Sequence, residues 1–214
     1  MTNFRILIAD DHELVRKGLR SLLQEHPGWE VCGEAADGLE TVRKAEELLP
    51  DLIALDVAMP NLNGLEAARI VLQKNSKVKI LFLTMYESEQ VVREATQVGA
   101  KGLILKSDAA RDLVSAVEDL QRNSTFFTSR ALQSSIDLDL RRQPRAFIKQ
   151  TLTPRERQVV QLLAEGKSTK EAAAVLGVSV KTAETHRSNI MRKLDLHSAG
   201  ELVLYAVRNN LIQI

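Results

Sequence analysis

The sequence predicts an α/β fold, a doubly wound parallel sheet of five strands, followed by an all-α domain of four helices. In residues 1–121, short apolar runs alternate with amphipathic stretches whose apolar residues recur at helical spacing. The runs are apolar throughout, which is typical of a parallel sheet that helices cover on both faces. From Thr151 onward only helical patterns are present. We therefore predict a domain at 1–121, a linker at 122–149 and a second domain at 150–214.

The strands and helices of the first domain alternate along the chain. The predicted strands are FRILIAD, EVCGEA, DLIALDV, KILFLTM and GLILK. The helices that follow them are HELVRKGLRSLLQEHP, GLETVRKAEELLP, NGLEAARIVLQKN, ESEQVVREATQVGA and AARDLVSAVEDLQR. Pro27, Pro50 and Gly99 mark where three of these helices stop. The linker is rich in Ser and Arg, and we predict one helix in it, around Ser129–Leu140.

Three helix starts in the second domain carry capping signals. The stretches TPRE and STKE, which begin at Thr153 and Ser168, have the pattern of a capping box. Ser179 caps the third helix, VKTAETHRSNIMRKL, after a tight turn at Gly177, and a fourth helix is predicted at Ala199–Asn209. Two short capped helices joined by a glycine-containing turn indicate a helix-turn-helix motif.

Composition narrows the class of protein. Of the 214 residues, 44% are hydrophobic and 27% charged, and no apolar stretch approaches the length that spans a bilayer. The N-terminus has two acids after a few apolar residues and the chain has one cysteine, so we expect a cytoplasmic protein without signal peptide, disulfide or membrane contact. Residues 1–121 hold 14 Lys and Arg against 20 Asp and Glu, whereas residues 122–214 hold 15 against 8. This difference suggests two modules with different partners, although small imbalances are common.

Polar side chains stand where the predicted strands end. Asp10 and Asp11 follow the first strand, Asp56 ends the third, Thr84 ends the fourth and Lys106 ends the fifth. Singly they have ordinary explanations, as helix caps, strand-end hydroxyls or solvated lysines. Together they share the sheet edge where ligands bind, and they predict a divalent cation such as Mg²⁺ and phosphoryl transfer to an aspartate. No G-x-G-x-x-G or G-x-x-x-x-G-K-[ST] motif follows the first strand, which disfavours nucleotide binding.

This half resembles the receiver domain of response regulators over about residues 1–121. The matching stretches are ILIADDHELVRKGL, PDLIALDVAMPNLNGLEA, ILFLTMYE and GAKGLILKSD. The resemblance implies that Asp56 accepts a phosphoryl group from a sensor histidine kinase, and that Thr84 and Lys106 contact that group. It also implies a cation held by Asp10 (through water), Asp11, Asp56 and the backbone carbonyl of Ala58.

Two positions depart from the receiver pattern. Many receivers have an aromatic residue three positions before the lysine, where this chain has Leu103. Many also have a proline after the lysine, where this chain has Ser107. A relay from Thr84 to an aromatic side chain is therefore not expected, and another change in packing must report phosphorylation.

The third helix of the second domain has a polar outer surface. Val180, Ala183, Ile190 and Leu194 can face inward, and the small polar and cationic residues between them suit base edges and phosphates, although any solvated helix carries charges. The stretches LTPRERQVVQLLAEG and VSVKTAETHRSNIMRKL resemble LuxR-type DNA-binding domains. By that resemblance the DNA-binding residues are Lys181, Thr182, Glu184, Thr185, Arg187, Ser188 and Lys193. The acid Glu184 stands where relatives often have lysine, which predicts a shifted base preference.

The order of receiver, linker and LuxR-type module is that of the NarL/FixJ class of response regulators. We therefore predict a transcription regulator, not an enzyme, that assists its own Mg²⁺-dependent phosphorylation and dephosphorylation. Phosphorylation either releases the recognition helix or favours homodimers on double-stranded promoter DNA, with RNA polymerase as a further partner. The alternatives are a phosphorelay intermediate, a constitutive DNA binder with a vestigial receiver, and an aspartyl-phosphate phosphatase. The intact helix-turn-helix disfavours the phosphorelay intermediate, and the complete five-residue site disfavours a vestigial receiver. The absence of a D-x-D motif at Asp56 disfavours the phosphatase.

Overall fold

In a computed structural model of the chain, the described residues are 3–85, 89–127, 152–209 and 211–212, and the chain forms two compact units. We term residues 3–127 the N-terminal domain and residues 152–212 the C-terminal domain. Each has a hydrophobic core of its own. Among the helices in these ranges, none is long and apolar enough to cross a membrane. The helix predicted around Ser129–Leu140 lies outside the described residues.

The N-terminal domain is built on one parallel sheet. Its strands are β1 (Phe4–Ala9), β2 (Trp29–Ala35), β3 (Leu52–Asp56), β4 (Lys79–Thr84), β5 (Gly102–Leu105) and β6 (Phe126–Phe127). Their spatial order is β2-β1-β3-β4-β5-β6, and every neighbouring pair is parallel. The predicted fold class is confirmed, but the count of five strands is wrong by one. The sixth strand, within the stretch predicted as linker, has two residues and is too short to show an apolar period.

Helices cover both faces of the sheet. They are α1 (Glu13–Gln24), α2 (Gly38–Leu48), α3 (Gly64–Lys74), α4 (Glu89–Val98) and α5 (Ala109–Gln121). Side chains alternate along each strand, so that Leu7 and Ile53 enter the core on one face and Ile6 and Leu52 the core on the other. Because both of its faces are buried, β3 is apolar up to its last residue, and the charge of Asp56 there is conspicuous.

Trp29 connects the start of β2 to the end of α5. Its ring stacks on His26 with the ring centroids 3.8 Å apart. Its Nε1 donates to Oε1 of Gln121 at 3.1 Å, and Nε2 of His26 lies 3.3 Å from Oε1 of Glu118. The loop between α1 and β2 is thereby fixed to the last turn of α5.

The C-terminal domain consists of the four helices that the sequence predicts. They are α6 (Pro154–Ala164), α7 (Thr169–Leu176), α8 (Val180–Leu194) and α9 (Ala199–Arg208). Capping boxes are present at Thr153 and Ser168, and Ser179 caps α8 by accepting from the backbone N–H of Thr182. Gly177 closes α7 with φ 64°, a left-handed conformation that suits glycine. Helices α7 and α8 thus follow one another across a tight turn, as the predicted helix-turn-helix motif requires.

The inner face of α8 is narrower than predicted. Ala183 and Ile190 are fully buried, and Ile190 packs in the core with Val159 and Leu202. Val180 is 41% exposed, so its expected inward orientation is wrong. It is the first residue of the helix, where the chain has just left the turn.

Candidate functional site

Three of the predicted strand-end residues meet in a buried ion-pair cluster. Nζ of Lys106 lies 2.7 Å from Oδ2 of Asp10 and 2.7 Å from Oδ2 of Asp56. The side chains of Asp10, Asp56 and Lys106 are 0%, 3% and 6% exposed. Asp10 follows β1, Asp56 ends β3 and Lys106 follows β5, so the parallel sheet itself brings them to one edge.

Burial and charge set the protonation of this cluster. Burial raises the pKa of Asp56 to about 6, against the opposing effect of the Lys106 ammonium. Burial lowers the pKa of Lys106, but the two carboxylates outweigh it, so the pKa of the lysine lies above its ordinary value. Ionisation of Asp56 therefore lowers the stability of the folded domain, and Lys106 stays protonated beside it.

The backbone around Asp56 is closely packed. The backbone N–H of Ala58 donates to Oδ1 of Asp56 at 3.3 Å, and that of Gly64 donates to the Val57 carbonyl at 2.9 Å. A Cβ on Gly64 would lie 1.9 Å from the Asp56 carbonyl oxygen, a distance that no side chain can adopt. Gly64 is thus required by this close approach, a role that the sequence shows only as a glycine after a turn.

Thr84 has the expected place in the sheet. It is the last residue of β4, is buried, and pairs with Leu105 immediately before Lys106. Its neighbour Leu83 pairs with Asp56 across the sheet. The hydroxyl-bearing residue therefore stands between the strands that carry the aspartate and the lysine.

Asp11 and His12 form the exposed rim of the cluster. Nδ1 of His12 lies 2.8 Å from Oδ1 of Asp11 and 3.2 Å from Oδ1 of Asp10. Single ligand atoms of Asp10, Asp11, His12 and Asp56 all lie within 4.8 Å of one another. Three carboxylates at this spacing are a donor set that fits a divalent cation. The sequence analysis predicted the acids of this site but not His12. Its position directly after Asp10 and Asp11 in ADDHE is the pattern that could have indicated it.

Arg16 supports the cluster from α1 and was also missed. Its Nη1 donates to the Asp10 carbonyl at 2.7 Å, and its Nε donates to Oε2 of Glu34 at 3.2 Å. Arg20, one turn further along α1, binds the other oxygen of the same glutamate. Arg16 thus connects the end of β1 to the end of β2. In the sequence, only its place six residues after Asp10 could have indicated this contact.

The two departures from the receiver pattern differ in environment. Leu103 is fully buried in the core, where it pairs with Phe82 on β4 and Phe127 on β6. Ser107 is exposed in a short 3₁₀ turn after β5. The position three residues before the lysine is therefore a packed core position with aromatic neighbours on both adjacent strands.

Six of the seven predicted DNA-binding side chains are exposed on α8. They are Lys181, Thr182, Glu184, Thr185, Arg187 and Ser188. Lys181, Glu184, Thr185 and Ser188 follow the spacing i, i+3, i+4, i+7, so they form one continuous face. Arg192, which the prediction left out, extends that face by another turn and is exposed.

Lys193 is the exception among these seven. It is half-buried, and its Nζ lies 2.8 Å from Oε2 of Glu156. Glu156 also accepts from the backbone N–H of Thr153 in the capping box of α6. This lysine, predicted to bind DNA, is therefore held against an acid of another helix, a tertiary pairing that the sequence of α8 alone does not reveal.

The chain matches models of two known protein families. Residues 6–118 match the model described as response regulator receiver domain, and residues 150–206 match the model of bacterial regulatory proteins of the luxR family. Among curated relatives, response regulator protein VraR of Staphylococcus aureus is 36% identical over 209 residues, which cover 98% of this chain and 99% of VraR.

Solved structures of response regulators resemble this chain over part or nearly all of its length. A LuxR-family two-component response regulator from Aurantimonas sp. SI85-9A1 is 32% identical with a TM-score of 0.61, covering 65% of this chain and 99% of the other. RcsB of Salmonella typhimurium is 26% identical with a TM-score of 0.65, covering 98% and 99%. RcsB bound to promoter rprA in the presence of phosphomimetic BeF3⁻ is 26% identical with a TM-score of 0.60, covering 95% and 98%.

Proposed function

The chain belongs to the response regulators that join a receiver domain to a LuxR-type DNA-binding domain, and we propose that Asp56 is its phosphoacceptor and α8 its recognition helix. The receiver domain implies a sensor histidine kinase as a partner, and the second domain implies promoter DNA. The observation that supports Asp56 best is the contact of one ammonium with two buried carboxylates, Lys106 with Asp10 and Asp56. The proposal places the protein in the cytoplasm, with the DNA it regulates.

In the proposed reaction, a carboxylate oxygen of Asp56 attacks the phosphorus of a phosphohistidine on the kinase. A P–O bond forms while the P–N bond breaks, and the histidine nitrogen leaves with the bonding electrons. A pKa of about 6 leaves Asp56 mostly ionised at neutral pH, as a nucleophile must be. Lys106 then moves its contact from the carboxylate to a phosphoryl oxygen, and the Thr84 hydroxyl donates to another.

The donor set around Asp56 fits a divalent cation, and we propose Mg²⁺. Asp11, Asp56 and the Ala58 carbonyl would hold it, with Asp10 acting through water. When bound, such an ion offsets the negative charge of the phosphoryl group so that it can approach the carboxylates. Through these residues the regulator assists its own phosphorylation and dephosphorylation without being a turnover enzyme.

On the DNA side, we propose that the exposed face of α8 enters the major groove. Glu184, Thr185 and Ser188 would contact base edges, and Lys181, Thr182 and Arg187 would contact phosphates. Lys193 joins them if it leaves Glu156. Glu184 would accept from cytosine amino groups, and at that position an acid also repels phosphate, so it favours a different base from a lysine.

We propose that phosphorylation promotes a homodimer that binds two half-sites. Solved structures of RcsB include two dimers bound to two parallel DNAs and a promoter complex with a phosphomimetic. Two linked half-sites raise the effective concentration of the second contact, so dimerisation alone increases DNA affinity. Because Leu103 is a packed leucine, the switch in this receiver would act through core packing around β5 rather than rotation of an aromatic side chain. A contact with RNA polymerase remains a prediction.

The central test measures dimerisation and DNA binding with and without beryllofluoride as a stable phosphoryl mimic. Sedimentation velocity reports the dimer, and fluorescence anisotropy reports binding to DNA selected from a random pool. We expect the mimic with Mg²⁺ to promote both in the wild type and neither in Asp56→Ala. An Asp56→Ala variant that responds to the mimic as the wild type does contradicts the assignment of Asp56.

The second test uses salt to separate phosphate contacts from base contacts. A plot of log affinity against log salt should be steep for the wild type, and Arg187→Ala should reduce its slope by about 1. Glu184→Ala should instead change the preferred base at one position of the site. A flat salt plot contradicts the phosphate contacts, and identical base preferences contradict the role of Glu184.

A further inference from the structure

We propose that the His12 imidazole is a ligand to the receiver's divalent cation and moves the preference of the site toward late first-row ions such as Co²⁺, Ni²⁺ and Zn²⁺. The inference rests on the proposed cation site at Asp10, Asp11 and Asp56. It adds one nitrogen donor to a donor set that otherwise consists of oxygen atoms.

The loop geometry directs the His12 ring toward the acids. His12 is the N-cap residue of α1, with extended backbone (φ −87°, ψ 110°), and its side chain makes no capping hydrogen bond to the helix. Its backbone N–H donates to Oδ1 of Asp10 at 2.9 Å, which fixes where the side chain leaves the main chain. With the backbone held in this way, Nδ1 lies 2.8 Å from Asp11 and 3.2 Å from Asp10.

These separations suit a shared metal ion. Metal–nitrogen and metal–oxygen bonds of about 2.1 Å at right angles put neighbouring ligand atoms about 3 Å apart. The distance of 2.8 Å between Nδ1 of His12 and Oδ1 of Asp11, the proposed direct ligand, is close to that value. The four possible ligand atoms of Asp10, Asp11, His12 and Asp56 also fall within 4.8 Å of one another. No side chain among these four has to move far to bind one ion.

The chemistry of the donor atoms determines which metal ions bind more tightly when His12 is a ligand. Mg²⁺ prefers oxygen ligands and keeps several waters, so an added imidazole gives it little. Imidazole suits Zn²⁺, Ni²⁺ and Cu²⁺, whose affinities for nitrogen sites exceed that of Mn²⁺. A metal-bound Nδ1 carries no proton, and the ring proton then lies on Nε2. The His12 side chain is 64% exposed, so water can solvate that N–H.

The test compares Ni²⁺ and Mg²⁺ binding to the full-length, tag-free protein by isothermal titration calorimetry at one pH. We expect His12→Ala to weaken Ni²⁺ binding by about tenfold or more and to change Mg²⁺ binding by less than about threefold. The control is His197→Ala, which removes an exposed histidine of the C-terminal domain whose Nε2 lies 3.5 Å from Asp195. This variant should bind both ions as the wild type does. Mg²⁺ should also displace Ni²⁺ competitively, because both occupy one site.

Pulsed EPR of bound Mn²⁺ gives a direct readout of the nitrogen ligand. We expect ¹⁴N modulation in the wild type and its loss in His12→Ala, with Mn²⁺ still bound. Equal Ni²⁺ affinity in the wild type and His12→Ala, or no ¹⁴N modulation, overturns the inference and shows a plain histidine–aspartate contact. If Asp11→Asn still loses Mg²⁺ in that case, the proposed cation site stands without His12. If the wild type binds no Mg²⁺, the cation site of the proposed function fails as well.

Discussion

The strand-end cluster and the exposed face of α8 carry their charges in opposite ways. Asp10, Asp56 and Lys106 are almost fully buried, and the lysine contacts both carboxylates directly. Lys181 and Glu184 on α8 are exposed. Buried charges depend on exact partners and cost folding energy, whereas hydrated charges cost little until a ligand displaces their water. Substitutions in the cluster should therefore change stability as well as function, and substitutions on α8 should change binding alone.

The largest expected effect comes from Gly64→Ala, which presses a methyl group against the Asp56 carbonyl. Because the clashing atom belongs to the backbone, β3 or α3 must shift, and we expect a loss of about 3 kcal/mol in the free energy of unfolding. Urea denaturation followed by circular dichroism measures it. Gly18→Ala, in the middle of α1 with nothing within 4 Å of the added Cβ, should instead stabilise by about 0.5–1 kcal/mol. Similar values for both variants would show that the close packing around Asp56 is unimportant.

Asp56→Asn should stabilise the metal-free protein at neutral pH. Between the ordinary pKa of 3.8 and a pKa of about 6, the folded protein keeps a proton that the unfolded chain has lost, so stability falls as pH rises through this interval. A neutral amide avoids that loss, which predicts a gain of about 2–3 kcal/mol at pH 7. Calorimetry in EDTA from pH 4 to 7.5 should show the gain growing with pH. A gain that is constant with pH would mean that burial of the charge is not its cause.

Arg16→Gln should weaken the cluster at its backbone support. The variant leaves the Asp10 carbonyl without its guanidinium donor, at a cost of about 1–2 kcal/mol, and should also weaken Mg²⁺ binding, measured by calorimetric titration. Arg20→Gln is the matched control, because Arg20 contacts Glu34 and makes no described contact with Asp10. Equal losses of Mg²⁺ affinity in both variants would show that the lost contact with Glu34, and not the lost contact with the Asp10 carbonyl, weakens the site.

The smallest effect is expected at the one half-buried charge of α8. Glu156→Gln releases Lys193 from its ion pair while the amide oxygen still caps α6, so DNA affinity should rise by about threefold at low salt and the gain should vanish at high salt. Glu171→Gln changes the corresponding glutamate of the α7 capping box and should give a smaller gain. An equal gain in both would indicate general charge repulsion instead of a freed lysine.

Local patterns predicted most of this molecule, and tertiary contacts account for what was missed. Helix periods, capping boxes and apolar strands depend on neighbouring residues, so they fixed the helices and placed Asp10, Asp56 and Lys106 at one edge. The pairing of Lys193 with Glu156 joins residues 37 positions apart, and no local pattern encodes it. The close approach of Gly64 to Asp56 and the two-residue strand β6 likewise depend on how finished elements pack.

Trp29 gives the molecule a built-in optical label for one of its halves. It is the only tryptophan in the chain, and it lies in the N-terminal domain with its indole N–H bonded to Gln121 at the end of α5. Fluorescence excited at 295 nm therefore reports that domain and is silent for the C-terminal domain. A red shift in emission will signal detachment of α5 from the start of β2, so unfolding of the N-terminal domain can be followed in the intact chain without adding a dye.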